Sequence, residues 1–93
     1  MNYGYATIDA TGLDLSDATS QTVTGLWGKI KAAADTGKPL IITGAIYGTG
    51  KPLTPTYVSA VYTDTDEVTI RTGNFVITVS DASAVLVTEI STT

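Results

Sequence analysis

Residues 67–90 read EVTIRTGNFVITVSDASAVLVTEI, and this stretch decides the fold. Its β-branched side chains alternate with polar ones in short runs, a pattern typical of strands. Gly73-Asn74 permits a tight turn after the first run, and Asp81-Ala82-Ser83 supplies a turn before the third. The stretch therefore predicts an antiparallel meander with strands at residues 67–72, 75–80 and 84–90.

Further strands are predicted upstream of the meander. Residues 40–47 are rich in β-branched side chains, and residues 56–62 alternate again before an acidic turn at residues 64–66. The Gly/Pro-rich stretch at residues 48–55 predicts a loop between these two strands. Residues 2–9 also alternate, which suits a short strand or an extended arm.

A single helix is predicted at residues 20–36. Thr19 or Ser20 can cap its N-terminus, and Gly37 is placed to end it in the left-handed conformation. Large apolar side chains follow the helical spacing i, i+3, i+4, i+7 and form one stripe: Val23, Leu26, Trp27 and Ile30. Because burying this stripe contributes on the order of 6–12 kcal/mol before entropy, the helix must pack on a sheet to persist.

Together these elements predict one α+β domain over residues 1–93, with one helix packed on an antiparallel sheet of about five strands. Residues 1–19 are predicted to form an N-terminal arm and connection, residues 20–36 the helix, and residues 39–90 mostly antiparallel strands. The pattern does not fix the order of the strands. A chain of this length buries roughly 60–65% of its unfolded surface, so oligomerisation would support its modest core.

Composition narrows the classes of function. The chain contains no cysteine and no histidine, which removes the usual zinc ligands, the commonest general base and every Ser-His or Cys-His pair. We therefore predict a protein that is not an enzyme, with no catalytic residues, no cofactor and no metal site.

The charge and the hydropathy pattern narrow the partners. Five basic and nine acidic residues give a net charge of −4, whereas a nucleic-acid-binding domain normally carries a basic patch, so we expect no nucleic acid partner. No segment approaches the roughly 20 apolar residues of a membrane helix, so no membrane insertion is expected. The first residues lack the basic start of a signal peptide, which predicts synthesis in the cytoplasm.

Two local patterns superficially resemble ligand sites. A phosphate-binding loop needs four residues between its glycines and then Lys-Ser/Thr, but five separate Gly44 from Gly50, and Pro52 follows the lysine. A calcium loop beginning at Asp64 would need glycine where Thr69 stands. Both segments are therefore interpreted as ordinary loops.

The meander also predicts that both faces of the sheet are apolar. Val76 lies on the face opposite to Ile77, and the last strand carries Leu86 between two valines. A single helix covers one face, so a subunit interface is a natural explanation for the other. The residues predicted for this interface are Val76, Val85 and Val87. The alternative is a rolled-up sheet whose second face is covered by the N-terminal arm.

Five tyrosines and abundant threonine leave a carbohydrate- or surface-binding module open, because aromatic faces stack on sugars while hydroxyls bind their polar edges. Tyr3 and Tyr5 belong to the candidates, and the surface-binding prediction itself names Tyr47, Tyr57 and Tyr62. Both residue types are also ordinary strand residues, which is the competing interpretation.

Residues 37–42 (GKPLII), the glycine-rich turn after them, residues 53–58 (LTPTYV) and the Thr/Val-rich strands resemble small structural proteins of tailed phages, most closely the head-fibre proteins. The resemblance covers residues 26–89 and implies a virion protein made in the host cytoplasm, commonly a trimer, that binds a capsid or tail protein and carries no catalytic residues. Contact with a glycan on the host surface, as in part of a tail fibre, is a further expectation. The chain lacks the long shaft or coiled coil of a full fibre, which leaves a base domain, a truncated appendage or a compact decoration protein as the expected forms.

Overall fold

A curled, mixed sheet dominates the computed structural model, which describes residues 4–19, 21–48 and 56–90. In chain order the elements are β1 (Ala6–Asp9), β2 (Gln21–Thr22), α1 (Leu26–Asp35), β3 (Leu40–Thr43), β4 (Thr56–Thr63), β5 (Glu67–Thr72), β6 (Phe75–Ser80) and β7 (Ala84–Glu89). Across the sheet the strand order is β1-β3-β4-β5-β6-β7-β2.

The prediction of about five antiparallel strands is wrong, because the sheet has seven strands and is mixed. β1 pairs with β3 in parallel, from Ala6 opposite Leu40 to Asp9 opposite Thr43. The chain returns to β3 through α1, and a helical crossover of this kind brings the next strand back in the same direction. At the other edge, β2 pairs with only Ala84 and Val85 of β7.

The helix is shorter than the predicted residues 20–36, since it spans Leu26–Asp35. Gly25 adopts a left-handed conformation with φ of 82°, and Gln21–Thr22 is a strand, so the chain cannot be helical before Leu26. Thr19 donates its hydroxyl to Asp17 instead of capping the helix, and Ser20 lies outside the described residues. The predicted end is confirmed, because Gly37 has a φ of 72°.

A serine from the β6–β7 turn supports the start of α1. The Trp27 N–H donates to Ser83 Oγ at 3.3 Å, and the Val23 N–H donates to the Ser83 carbonyl at 3.1 Å. Ser83 is 7% exposed and has a φ of 62°, an uncommon conformation for a residue with a Cβ. The turn thus satisfies an amide of the first helical turn that the helix itself leaves free.

One face of the sheet, here called the inner face, packs against α1. Leu26, Ile30 and Ala33 are the buried residues of the helix, which confirms two of the four residues of the predicted stripe, Leu26 and Ile30. Trp27 is only partly buried, and the ammonium of Lys31 lies 5.3 Å from its ring centroid. The sheet contributes alternate side chains to this core: Ile8, Leu40, Ile42, Val68, Ile70, Ile77, Val79, Val85 and Val87.

Two glycines give a matched test of the backbone. A Cβ on Gly44, whose φ is 81°, would lie 2.7 Å from Thr11 Oγ1 and 2.9 Å from Thr11 N, whereas a Cβ on Gly28 in α1 would meet nothing within 4 Å. We expect Gly44→Ala to lower the free energy of unfolding by about 2–4 kcal/mol, through left-handed strain and the clash. Gly28→Ala should raise it by about 0.5–1 kcal/mol. Urea denaturation measures both, and a Gly44→Ala protein as stable as the wild type would contradict the geometry.

Candidate interaction surface

The face of strands β4–β7 that points away from α1 is here called the outer face. The strand registers place its side chains in two rows across the sheet. One row is Tyr62, Thr69, Thr78 and Leu86. The next is Ala60, Arg71, Val76 and Thr88. A register shift between Val58 and Ala60 keeps Val58 on the inner face while placing Ala60 on the outer one.

The outer face combines apolar groups with hydroxyls and little charge. Tyr62 is 70% exposed and Leu86 is 51% exposed, while Val76 between them is partly buried by its neighbours. Thr69 and Thr78 stand opposite each other on β5 and β6, with their hydroxyl oxygens 3.4 Å apart. Arg71 is the one charged side chain in the two rows. A surface of this kind suits contact with a protein better than contact with a highly charged ligand.

The residues predicted for a subunit interface do not lie on one surface. Val85 and Val87 are 1% and 2% exposed and lie in the core on the inner face, so their side chains cannot meet a partner at the outer face. Val76 does lie on the outer face, together with Leu86, the residue between the two buried valines. The pleat of β7 therefore assigns the exposed contact to Leu86, and the interface itself stays a prediction.

The predicted surface tyrosines lie at three different places. Tyr57 is 61% exposed, and its ring centroid is 5.4 Å from that of Tyr5 at an interplanar angle of 47°. Tyr62 lies on the same strand as Tyr57 but five residues further, about 16 Å away along an extended chain. Tyr47 packs against Phe75 at 5.9 Å, and its hydroxyl is 3.5 Å from Glu89 Oε1. Tyr3 lies outside the described residues.

A hydrogen-bonded junction ties the N-terminal connection to the chain that follows β3. Asp14 Oδ1 accepts the Gly48 N–H at 3.0 Å and the amide and hydroxyl of Ser16 at 2.9 and 2.7 Å. The backbones of the two segments are also hydrogen-bonded, because the Leu15 N–H donates to the Ile46 carbonyl at 2.8 Å. The Gly48 amide, followed by the Ser16 hydroxyl and amide, lowers the pKa of Asp14 below its ordinary value of 3.8.

A second aspartate at the end of β1 is held in the same way. Asp9 Oδ1 accepts the hydroxyl and the amide of Thr11 at 2.6 and 3.1 Å, and these bonds are the main cause of a lowered pKa for Asp9. The ammonium of Lys29 lies 3.9 Å from Asp9 Oδ2 and contributes a smaller lowering. Both aspartates thus fix turns, with Oδ1 of each accepting hydrogen bonds from the protein's own donors.

The other acidic side chains of the described residues do not gather into a metal-binding group. The acids of the β4–β5 turn hold that turn closed, since the Asp64 N–H donates to the Glu67 carbonyl at 2.8 Å and Asp64 Oδ1 accepts the Thr65 N–H at 2.8 Å. Within residues 4–19, 21–48 and 56–90, no group of three or more His, Cys, Asp or Glu side chains is placed to hold a metal ion. Among these same residues, no helix has the length and apolarity needed to cross a membrane.

No family model matches the sequence, and no curated protein or solved structure matches it significantly.

The Asp14 junction predicts a specific response to acid. Because the folded-state pKa lies below the ordinary value of 3.8, the carboxylate stabilises the folded state above that pH, and this contribution is lost as the pH falls through the lowered pKa. We expect the Gly48 amide proton, followed by NMR, to show a transition with a midpoint below 3.8. Asp14→Asn should abolish that transition, while the exposed control Asp35→Asn should leave it in place. If the chemical shift of the Gly48 amide proton in the wild type does not change with pH, the hydrogen bond from Gly48 to Asp14 is refuted.

Proposed function

We propose that this chain is a non-enzymatic structural protein of a phage virion, of the head-fibre or capsid-decoration type. It acts by assembling with copies of itself and with a capsid or tail protein. One observation carries the proposal: the inner face of the sheet is filled by α1, while Leu86, Val76 and Tyr62 lie on an outer face that is open in the described part of the chain.

The chemistry of the outer face supports a protein partner. Exposed apolar side chains that share one face of a sheet mark an interaction site more often than scattered ones do. Tyrosine and arginine are enriched at protein interfaces, and here Arg71 lies directly opposite Val76 on the neighbouring strand. Threonine hydroxyls between the apolar groups can bond to a partner's backbone without carrying a charge into the contact.

The sequence resemblance supplies the biological setting of the proposal. The resemblance to head-fibre proteins implies a trimer, a location on the virion and synthesis in the host cytoplasm. The first resembling segment, residues 37–42, includes the start of β3, and the last residues of the second, 56–58, belong to β4. The two segments meet in the sheet, because Tyr57 pairs with Ile41. We therefore expect a homo-oligomer whose copies present the outer face toward a larger assembly.

A charge on the outer face tests the proposal. Val76→Lys places an ammonium at the centre of the face beside Arg71, so we expect incorporation into particles to fall at least tenfold. Thr65→Lys adds the same charge in the exposed β4–β5 turn and should leave incorporation unchanged. The measurement is mass spectrometry of particles purified from the phage that encodes the chain, with circular dichroism to verify folding. Absence of the wild-type chain from these particles would overturn the proposal.

A carbohydrate- or surface-binding module is the second candidate, and the Tyr5–Tyr57 ring pair favours it. Under this alternative, glycan fragments from bacterial surfaces should shift the ring signals of Tyr57 in NMR titrations. Tyr57→Ala should abolish binding, whereas Tyr47→Ala, whose ring packs elsewhere against Phe75, should preserve it. No response across a broad glycan panel would count against this candidate.

A further inference from the structure

In the described residues, the β7 edge of the sheet has no strand paired beyond Val85. β2 pairs with Ala84 and Val85 and then ends. The Val23 N–H bonds to the Ser83 carbonyl on the β2 side, whereas the Ile90 N–H bonds to the Asn74 carbonyl on the β6 side at 2.6 Å. Because strand residues alternate in direction, the N–H and C=O groups of Val87 and Glu89 point toward the open side. No described strand pairs with them there.

The β1 edge is open in a complementary way. The Ala6 N–H donates to the Pro39 carbonyl at 2.9 Å and the Ala10 N–H donates to the Thr43 carbonyl at 2.7 Å, so the even-numbered residues of β1 bond to β3. The backbone groups of Thr7 and Asp9 therefore point away from the sheet. In the described residues, β1 has no strand on that side.

The two edges run in the same direction. β1 is parallel to β3, and each of the four pairs β3–β4, β4–β5, β5–β6 and β6–β7 is antiparallel. Because four reversals restore the original direction, β7 runs parallel to β1. A second copy that extends the sheet with its inner face on the same side would therefore present its β1 parallel to β7. We infer that β7 of one copy binds β1 of a second copy as a parallel strand pair.

The existing pairings restrict the register of this contact. In a parallel strand pair, a residue bonds through its backbone to the two residues that flank the one directly opposite it. Thr7 of the second copy, placed opposite Thr88, can therefore bond to Val87 and Glu89. Both threonines lie on the outer side of their strands. A shift by one residue would reverse the faces, and a shift by two toward the start of β7 would collide with β2.

This register also keeps the charged side chains of the two strands apart. β1 of the second copy begins at Ala6, opposite Val87, because the position opposite Leu86 adjoins Gln21, which β2 places opposite Val85. Asp9 of the second copy comes opposite Ile90 and keeps its ion pair with Lys29, while Glu89 lies on the inner side of β7. The contact therefore sets no two carboxylates directly opposite each other, a pairing that destabilises sheets.

The contact is heterologous, since it joins two different edges. Such contacts close into a ring when the rotation between copies allows it, and each copy then uses both of its edges once. This inference rests on the proposed function, because it names how the copies of the structural protein meet. It leaves the outer face free for a capsid or tail protein.

Proline substitutions at the two edges test the contact. Glu89→Pro and Thr7→Pro each remove one N–H that points away from the chain's own sheet, so each variant should fold. By light scattering, we expect the wild type to be an oligomer of defined mass and each variant to be a monomer of 9.6 kDa. Glu89→Gln and Thr7→Ser keep the N–H and should assemble like the wild type.

Mixing the two proline variants gives the decisive result. The Thr7→Pro chain retains an intact β7 edge and the Glu89→Pro chain retains an intact β1 edge, so the mixture should form a one-to-one dimer although neither variant associates alone. A variant that still assembles alone, or a mixture that stays monomeric, would overturn the inference. A wild type that is monomeric at every concentration would also overturn it, yet its presence in purified particles would still support the proposed function.

Discussion

The packing of α1 on the inner face is the contact on which the rest of the structure depends. Ile30 is fully buried there among side chains from both halves of the sheet, and the helix contacts β1 as well as β5 and β6. The helix is also the crossover between β1 and β3, so its position fixes β1 as a parallel edge strand. Because one short helix fills one face, the other face of β4–β7 is left to solvent or to a partner.

Much of the sheet could be predicted from local sequence. The strands at residues 67–72 and 75–80 have the predicted bounds, because their alternation and the Gly73-Asn74 turn act within a few residues of each other. The edge strands could not be predicted in the same way. β2 is only Gln21–Thr22, and its pairing with β7 joins residues more than sixty positions apart, so no local period marks it.

The start of the helix shows a second limit of periodicity. Val23 falls on the helical stripe and is buried at 8% exposure, yet it lies outside the helix. Gly25 is left-handed, and the Val23 amide bonds to Ser83 in a turn far along the chain. A spacing rule records that a side chain is buried, but the tertiary hydrogen bond decides which backbone conformation buries it.

Of the three residues predicted for a subunit interface, Val76 alone lies on the outer face. Both faces of β6 and β7 carry apolar side chains, so alternation alone cannot tell which set faces the helix. In the structure the inner set is mainly apolar and buried, as with Val85 and Val87, whereas the outer set mixes Leu86 and Val76 with threonine. This mixture separates the two faces, since an exposed surface must remain compatible with water.

The edges of the sheet extend this argument beyond the outer face. Natural proteins usually protect an open edge with charge, proline or a covering segment, because unpaired backbone groups invite pairing with another chain. Here β2 protects β7 only as far as Val85, and Asp9, a charge that could protect β1, is held by Thr11 and Lys29 of its own chain. The remaining edges match in direction and in facing, which is the arrangement expected when an edge is kept open for a second copy. If a second copy pairs along these edges, the side chains of Val76 and Tyr62 on the outer face stay available to a different protein.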